Sequence, residues 1–236
     1  MEAAALGLFM VSAGLFGTLL ESPTSPVHRA VADPFVRRMM MGAAMGLTAI
    51  LLIYSPWGRR SGAHMNPAVT LTFWRLGKVE TADAVFYCVF QLLGGVAGVL
   101  LVEQILGRSF TDAPVSYVAT LPGEFGTGVA FLAECVISVV MMAMILFTAG
   151  SARWSRWTGL FAGVLIATYI TFEGPLSGFS MNPSRTLASA IPGDIWTGWW
   201  LYLFAPTLGM LAGAELQRGV LKSHSRHCAK LMHCPK

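Results

Sequence analysis

The chain has 236 residues, of which 55% are hydrophobic and only 12% are charged, and its net charge is +4. Soluble domains carry about 25% charged residues, so this composition excludes an ordinary soluble protein and indicates a surface that faces lipid. The Lys and Arg residues are scattered and have no aromatic platform beside them, which argues against a nucleic-acid-binding surface.

Six apolar runs predict transmembrane helices. Crossing the ~30 Å hydrocarbon core takes about 20 predominantly apolar residues, and the runs are Ala3–Leu20, Phe35–Tyr54, Ala84–Leu106, Phe125–Ala149, Arg156–Phe172 and Ile195–Gln217. The first run lacks the basic start and the cleavage site of a signal peptide, so it is predicted to be a retained helix. Two further stretches, Pro67–Leu76 and Pro183–Ile191, are too short to cross and are predicted to be half-helices.

Six spans place both ends of the chain on one side of the membrane. If that side is cytoplasmic, its segments carry eleven of the 16 Lys and Arg residues, as the positive-inside rule requires. The predicted organisation is one domain over residues 1–217, with repeat halves of about 1–122 and 123–217, followed by a polar cytoplasmic tail over 218–236. The compact loops favour a plasma (inner) membrane.

One segment of eleven residues occurs twice. SGAHMNPAVTL at 61–71 and SGFSMNPSRTL at 177–187 agree at seven positions without a gap. Asn is a good N-cap and Pro suits the first helical turn, so each copy predicts a half-helix that begins at a fixed place. Three spans in each half invert the second half relative to the first, and such repeats put a functional site near the bilayer midplane.

These boxes resemble the aquaporin and glycerol-facilitator family of membrane channels. The first box, Asn66-Pro67-Ala68, has the family motif; the second, Asn182-Pro183-Ser184, has Ser in place of Ala, and Arg185 follows as in the family. The resemblance runs from Glu2 to about Leu216. It implies an all-α membrane protein with six transmembrane helices and two re-entrant half-helices, and a homotetramer with one pore per chain. It implies no cofactor and no enzymatic step.

The half-helices are expected to meet end to end in the membrane. Their positive amino ends would repel hydronium and cations, and the Asn66 and Asn182 amides would donate to the oxygen of a passing water. The unwound segments before each Asn would offer backbone carbonyls as acceptors along one wall; they comprise Gly62, Ala63, His64 and Met65 in the first half and Gly178, Phe179, Ser180 and Met181 in the second.

The resemblance also implies a narrow outer filter. Arg185 would form it with Met45, Ile170 and Phe179, and Gly46 is the alternative to Met45. With one large aromatic and no His, this filter is less polar than that of a strict water channel and would accept solutes with CH groups. Thr186 and Ala190, in contrast, are typical of water channels. Water is therefore the first predicted permeant, and glycerol or another small neutral solute is the alternative.

Three buried or intramembrane acids need an explanation. By resemblance, Glu2 and Glu134 accept hydrogen bonds from the re-entrant loops, and a proton relay is the alternative. Glu173 is expected to pair with Arg37, Arg38 or Arg185. The small residues of the third span predict a close helix contact, either within the chain or between protomers.

Two further interpretations remain open. The tail is rich in soft ligands that could bind Zn or Cu, although a solvated tail has the same composition; these are His224, His227, Cys228, His233 and Cys234. A secondary transporter also uses inverted repeats and broken helices, and is the alternative from another functional class. The predicted partners are the lipid bilayer and small neutral permeants.

Overall fold

The computed structural model describes residues 1–221, and helix is the only regular secondary structure within that range. Eight main helices follow one another: α1 (Glu2–Glu21), α2 (Pro34–Tyr54), α3 (Pro67–Arg75), α4 (Thr81–Leu106), α5 (Gly126–Ala149), α6 (Thr158–Phe172), α7 (Pro183–Gly193) and α8 (Leu201–Leu221). Short helices lie at Pro26–Ala30, Pro56–Ser61, Arg108–Thr111 and Gly174–Ser177, with 3-10 turns at Ser116–Val118 and Ser155–Trp157.

The fold is that of an all-α membrane protein with six transmembrane helices and two half-helices. Helices α1, α2, α4 and α5 are long and apolar enough to cross a membrane by length and composition. Helix α6 has only 15 residues, or about 22 Å, and the short helix Gly174–Ser177 follows its carboxyl end. Helices α3 and α7, with 9 and 11 residues, are too short to cross.

The last span departs from the prediction at both ends. It begins at Leu201 rather than Ile195, because Gly198 adopts a left-handed backbone (φ 65°) that an α-helix cannot contain. It then continues to Leu221, past the predicted end at Gln217.

The two halves of the chain pack in the same way. Helix α1 packs along α4 in the first half, and α5 packs along α8 in the second. Helices α2 and α6 pack against each other and join the halves. Each half-helix packs on the third span of the opposite half, α3 on α8 and α7 on α4. The inverted repeat therefore brings both half-helices to the centre of one bundle.

Glycines allow this packing. A Cβ on Gly46 of α2 would lie 2.5 Å from the carbonyl oxygen of Gly163 in α6, and one on Gly163 would lie 2.6 Å from that of Gly46. In α4, Gly98 packs against the backbone of Gly7 in α1. The small residues of the third span thus serve contacts within the chain.

Candidate functional site

The two Asn-Pro boxes cap the half-helices. Asn66 Oδ1 accepts from the Ala68 backbone N–H at 2.9 Å, and Asn182 Oδ1 accepts from the Arg185 N–H at 3.2 Å. Each following Pro occupies the first helical position, where no N–H is needed. The repeated sequence therefore fixes where both half-helices begin.

The boxes are also joined to each other. Asn66 Nδ2 donates to the Met181 carbonyl at 2.6 Å, and Asn182 Nδ2 donates to the Met65 carbonyl at 2.6 Å. Each acceptor is the residue directly before the other Asn. The amino ends of α3 and α7 consequently meet head-on in the centre of the protein.

The loops before the boxes have the same unusual backbone. Ala63 and Met65 have φ of 54° and 49°, and their counterparts Phe179 and Met181 have 50° and 53°. Such left-handed conformations cost non-glycine residues about 1–3 kcal/mol each and persist only when the surroundings enforce them. Something must therefore hold each loop.

Two buried glutamates hold the loops. Glu134 Oε1 accepts from Ser177 Oγ at 2.9 Å and from the Ser180 N–H at 2.6 Å, while Oε2 accepts from the Met181 N–H at 2.7 Å. Glu2 accepts the corresponding bonds in the first half. Its Oε1 accepts from Ser61 Oγ at 2.6 Å and from the His64 N–H at 3.2 Å, while Oε2 accepts from the Met65 N–H at 2.6 Å. Both carboxylates are therefore occupied by the loop backbone.

Other side chains that support the loops were not identified from the sequence. Tyr87 and Tyr202 donate from their hydroxyls to the carbonyls of Ser61 and Ser177, at 2.8 and 2.6 Å. Gln91 Nε2 donates to Glu2 Oε2 at 2.8 Å. Ser61 and Ser177 lie within the repeated segment, so the repeat could have indicated that they support the loops. No local sequence pattern indicates this role for either tyrosine.

Two cavities lie along the axis between the halves. The inner cavity, of about 100 Å³, is lined by both box asparagines and has room for several water molecules. The outer cavity, of about 200 Å³, is lined by all four predicted filter residues: Met45, Ile170, Phe179 and Arg185. Phe9, Phe179 and Arg185 line both cavities and mark the junction between them. Gly46 packs on α6 and lines neither cavity, whereas Met45 lines the outer one.

The other predicted site residues divide between wall and support. Five line the inner cavity: Ala63, His64, Met65, Ser180 and Met181. Gly178 lines the outer one. The remaining predicted site residues line neither cavity. Gly62 ends the short helix Pro56–Ser61. The other four are buried in the first turns of α3 and α7: Pro67, Ala68, Pro183 and Ser184.

Phe9 was missed by the sequence analysis. It lies seven residues after Glu2 on α1, and Met141, which lines the inner cavity, lies seven residues after Glu134 on α5. Residues seven apart share a helix face. The spacing from each glutamate was thus a signal that could have found both.

The expected ion pair of Glu173 is absent among residues 1–221, and neither of its buried carboxylate oxygens has a partner. Arg37 instead binds Glu21 at 3.3 Å. The tail residues proposed as metal ligands lie outside the described part of the chain.

Comparison with known proteins places the chain in a family. The family model for the major intrinsic protein matches residues 4–216. The chain belongs to the major intrinsic protein family. It is an integral membrane protein, as that family and its apolar helices indicate.

Other major intrinsic proteins resemble it over most of this chain. A probable aquaporin of the NIP type from Nicotiana alata is 37% identical over 174 residues, which is 72% of this chain, and Aquaporin NIP2-2 from Zea mays is 33% identical over 183 residues, or 76%. The chain spans 61% and 59% of the lengths of these two relatives. The X-ray structure of an aquaglyceroporin from Plasmodium falciparum has the same fold, with a TM-score of 0.75, 19% identity and coverage of 93% of this chain and 94% of the other.

Proposed function

We propose that this protein is a passive channel that conducts water through the membrane and excludes protons and ions. The observation that carries the proposal is the pair of bonds from Asn66 and Asn182 to the opposite loops, inside a cavity of about 100 Å³. The channel domain would comprise residues 1–217, with halves 1–122 and 123–217.

The asparagine amides account for water passage. Each amide has two N–H donors and one acceptor oxygen. The oxygen caps its own half-helix, and one N–H binds the opposite carbonyl. One N–H of each Asn remains available, and these two donors would hold the oxygen of a passing water so that its hydrogens point away along the file.

The helix ends account for exclusion of ions. The amino end of each half-helix carries roughly half a positive charge, and both ends meet in the inner cavity. Arg185 adds a full positive charge at the junction with the outer cavity. A cation must lose its hydration shell in this positive field, and an oriented water at the centre breaks the proton wire.

Glycerol or another small neutral solute is the alternative permeant. Met45, Ile170 and Phe179 give the outer cavity an apolar part of its lining, beside the charged Arg185. A polyol needs such a surface, because its CH groups lie on one side and its hydroxyls on the other. The named aquaglyceroporin of similar fold agrees with this alternative.

A secondary transporter is less well supported. Transport coupled to an ion gradient needs intramembrane groups that can bind and release the ion. Both oxygens of Glu2 and both oxygens of Glu134 already accept hydrogen bonds from serine hydroxyls or loop N–H groups. Movement of either carboxylate would release a loop whose backbone is strained.

The assembly and location are part of the proposal. We expect a homotetramer in a plasma (inner) membrane, with both termini cytoplasmic and the residues 218–236 as a cytoplasmic tail. The excess of Lys and Arg on that side supports the orientation.

Stopped-flow light scattering of reconstituted vesicles tests the function. Vesicles with the protein should shrink faster in sucrose than empty vesicles, and the rate should not depend on an ion gradient. Fast re-swelling in glycerol would establish the alternative permeant. Arg185→Val should raise the proton or cation leak, measured with an internal pH dye. Water flux equal to that of empty vesicles would overturn the proposal.

A further inference from the structure

Two arginines line the outer cavity with unused hydrogen-bond donors. Arg38 Nε and Arg185 Nη1 are buried, and neither has a partner among residues 1–221. The adjacent Arg37 is the contrast, since its guanidinium donates to Glu21 and, at 2.9 Å each, to the carbonyls of Val31 and Ala32. Buried donors normally have partners, so the two unused groups point to a ligand.

The charges at this cavity favour an anion. Its charged lining residues are Glu21, Arg38 and Arg185. Both Glu21 oxygens accept from Arg37 Nε at 3.3 Å, so the one acidic group is already neutralised. Arg38 lies over the ring of Phe35, 5.9 Å from its centroid, which restrains the guanidinium. Two positive charges therefore share one small cavity, and Glu134, the carboxylate that interacts electrostatically with Arg185, does not line it.

We propose that the outer cavity binds a small monovalent oxyanion between Arg38 and Arg185. The planar guanidinium fork matches two oxygens of one carboxylate or sulfonate, which a spherical ion cannot provide. The volume of about 200 Å³ admits such an ion. Because the site lies directly outside the junction marked by Phe9, Phe179 and Arg185, a bound anion would obstruct the path of water.

Methanesulfonate is a suitable probe because it stays ionised at neutral pH. It would be present on both sides of the vesicles, so that channel orientation does not matter, and sodium chloride at equal osmolarity and ionic strength is the matched salt. We expect the rate constant of osmotic shrinkage to fall with methanesulfonate concentration and to change much less with chloride. This inference rests on the proposed water conduction, so calorimetric titration of the detergent-solubilised protein with methanesulfonate supplies a second readout.

Variants separate the site from general charge effects. Arg38→Gln should raise the half-inhibitory concentration and the dissociation constant by about tenfold or more, since a charge-assisted contact is lost. Arg38→Lys keeps the positive charge but loses the planar guanidinium fork. Its half-inhibitory concentration and dissociation constant should lie between those of the unchanged protein and Arg38→Gln. Arg29→Gln removes the same charge from the same side of the membrane, at an exposed residue outside the cavity, and should leave both values unchanged.

The outcomes distinguish the two proposals. Calorimetric binding that depends on Arg38, in a protein without water flux, would support the anion site and overturn the proposed function. Normal water flux with equal effects of methanesulfonate and chloride, or with identical inhibition in Arg38→Gln, would overturn the anion site alone. Thermal unfolding shows whether each variant is folded. If Arg38→Gln does not fold, Arg38→Lys is compared with the unchanged protein instead.

Discussion

At the scale of single residues, Glu2 and Glu134 show why the loops need carboxylates rather than amides. Each carboxylate accepts three hydrogen bonds from its own loop segment, including two backbone N–H groups. A glutamine would present an NH₂ group to one of these donors. Both the negative charge of each carboxylate and its acceptor lone pairs therefore stabilise the loop that it binds.

Glu134→Gln should consequently destabilise the protein and impair the pore. The Met181 N–H or the Ser180 N–H would lose its acceptor, which costs about 1–3 kcal/mol for a buried group. We expect a lower unfolding midpoint in detergent and slower water flux in stopped flow. Glu124→Gln, at an exposed glutamate, is the control. An unchanged midpoint in Glu134→Gln would contradict the supporting role.

Glu173 presents the opposite case. Its side chain is buried, with 8% of the residue exposed, and both oxygens lack a partner. A buried carboxyl group without a partner is costly in its ionised form, so Glu173→Gln, which cannot ionise, should raise the unfolding midpoint. Differential scanning fluorimetry measures the change, again against Glu124→Gln. A lower midpoint would mean that the carboxylate makes a stabilising interaction in the assembled protein.

At the scale of elements, the crossing of α2 and α6 depends on facing glycines. A Cβ at position 46 would lie 2.5 Å from the Gly163 carbonyl oxygen, so Gly46→Ala forces the helices apart. Overpacking of this kind costs typically 1–3 kcal/mol. We expect a lower unfolding midpoint and, since Met45 lies at the same turn, altered water flux.

Gly128→Ala is the matched control for this prediction. It makes the same substitution in helix α5, where an added Cβ has nothing within 4 Å. It should be neutral or slightly stabilising, by about 0.4–1 kcal/mol. Equal effects of the two substitutions would show that the loss of glycine, rather than the contact between α2 and α6, determines stability.

The elements also show what the sequence could predict. The half-helices were predictable because Asn and Pro have strong local preferences at helix starts, and the spans because lipid requires long apolar runs. The start of α8 was not predictable, since the apolar residues before Leu201 satisfy hydropathy while Gly198 breaks the helix. The partners of Glu2, such as Gln91, come from distant segments and have no local signal.

At the scale of the whole molecule, the two halves share a backbone but differ in the side chains that face the pore. The counterparts of Phe179 and Arg185 in the first repeat are Ala63 and Val69. A bulky aromatic and a charge therefore stand at the junction of the two cavities, whereas their small apolar counterparts line only the inner cavity. The inverted repeat builds a symmetric scaffold, and the side-chain differences between its two copies make the two cavities unlike.

Phe179→Ala should therefore widen the filter and admit larger solutes. Phe179 lines both cavities at their junction, so loss of its ring should enlarge that junction without changing the asparagine boxes. We expect the ratio of glycerol to water permeability to rise, measured by re-swelling and shrinkage of the same vesicles. Phe172→Ala, at a ring that is 66% exposed on the outer surface of α6, removes the same group away from the pore and should leave the ratio unchanged. If Phe179→Ala also leaves it unchanged, the filter lies elsewhere along the path, and Met45 and Ile170 lose their assigned role with it.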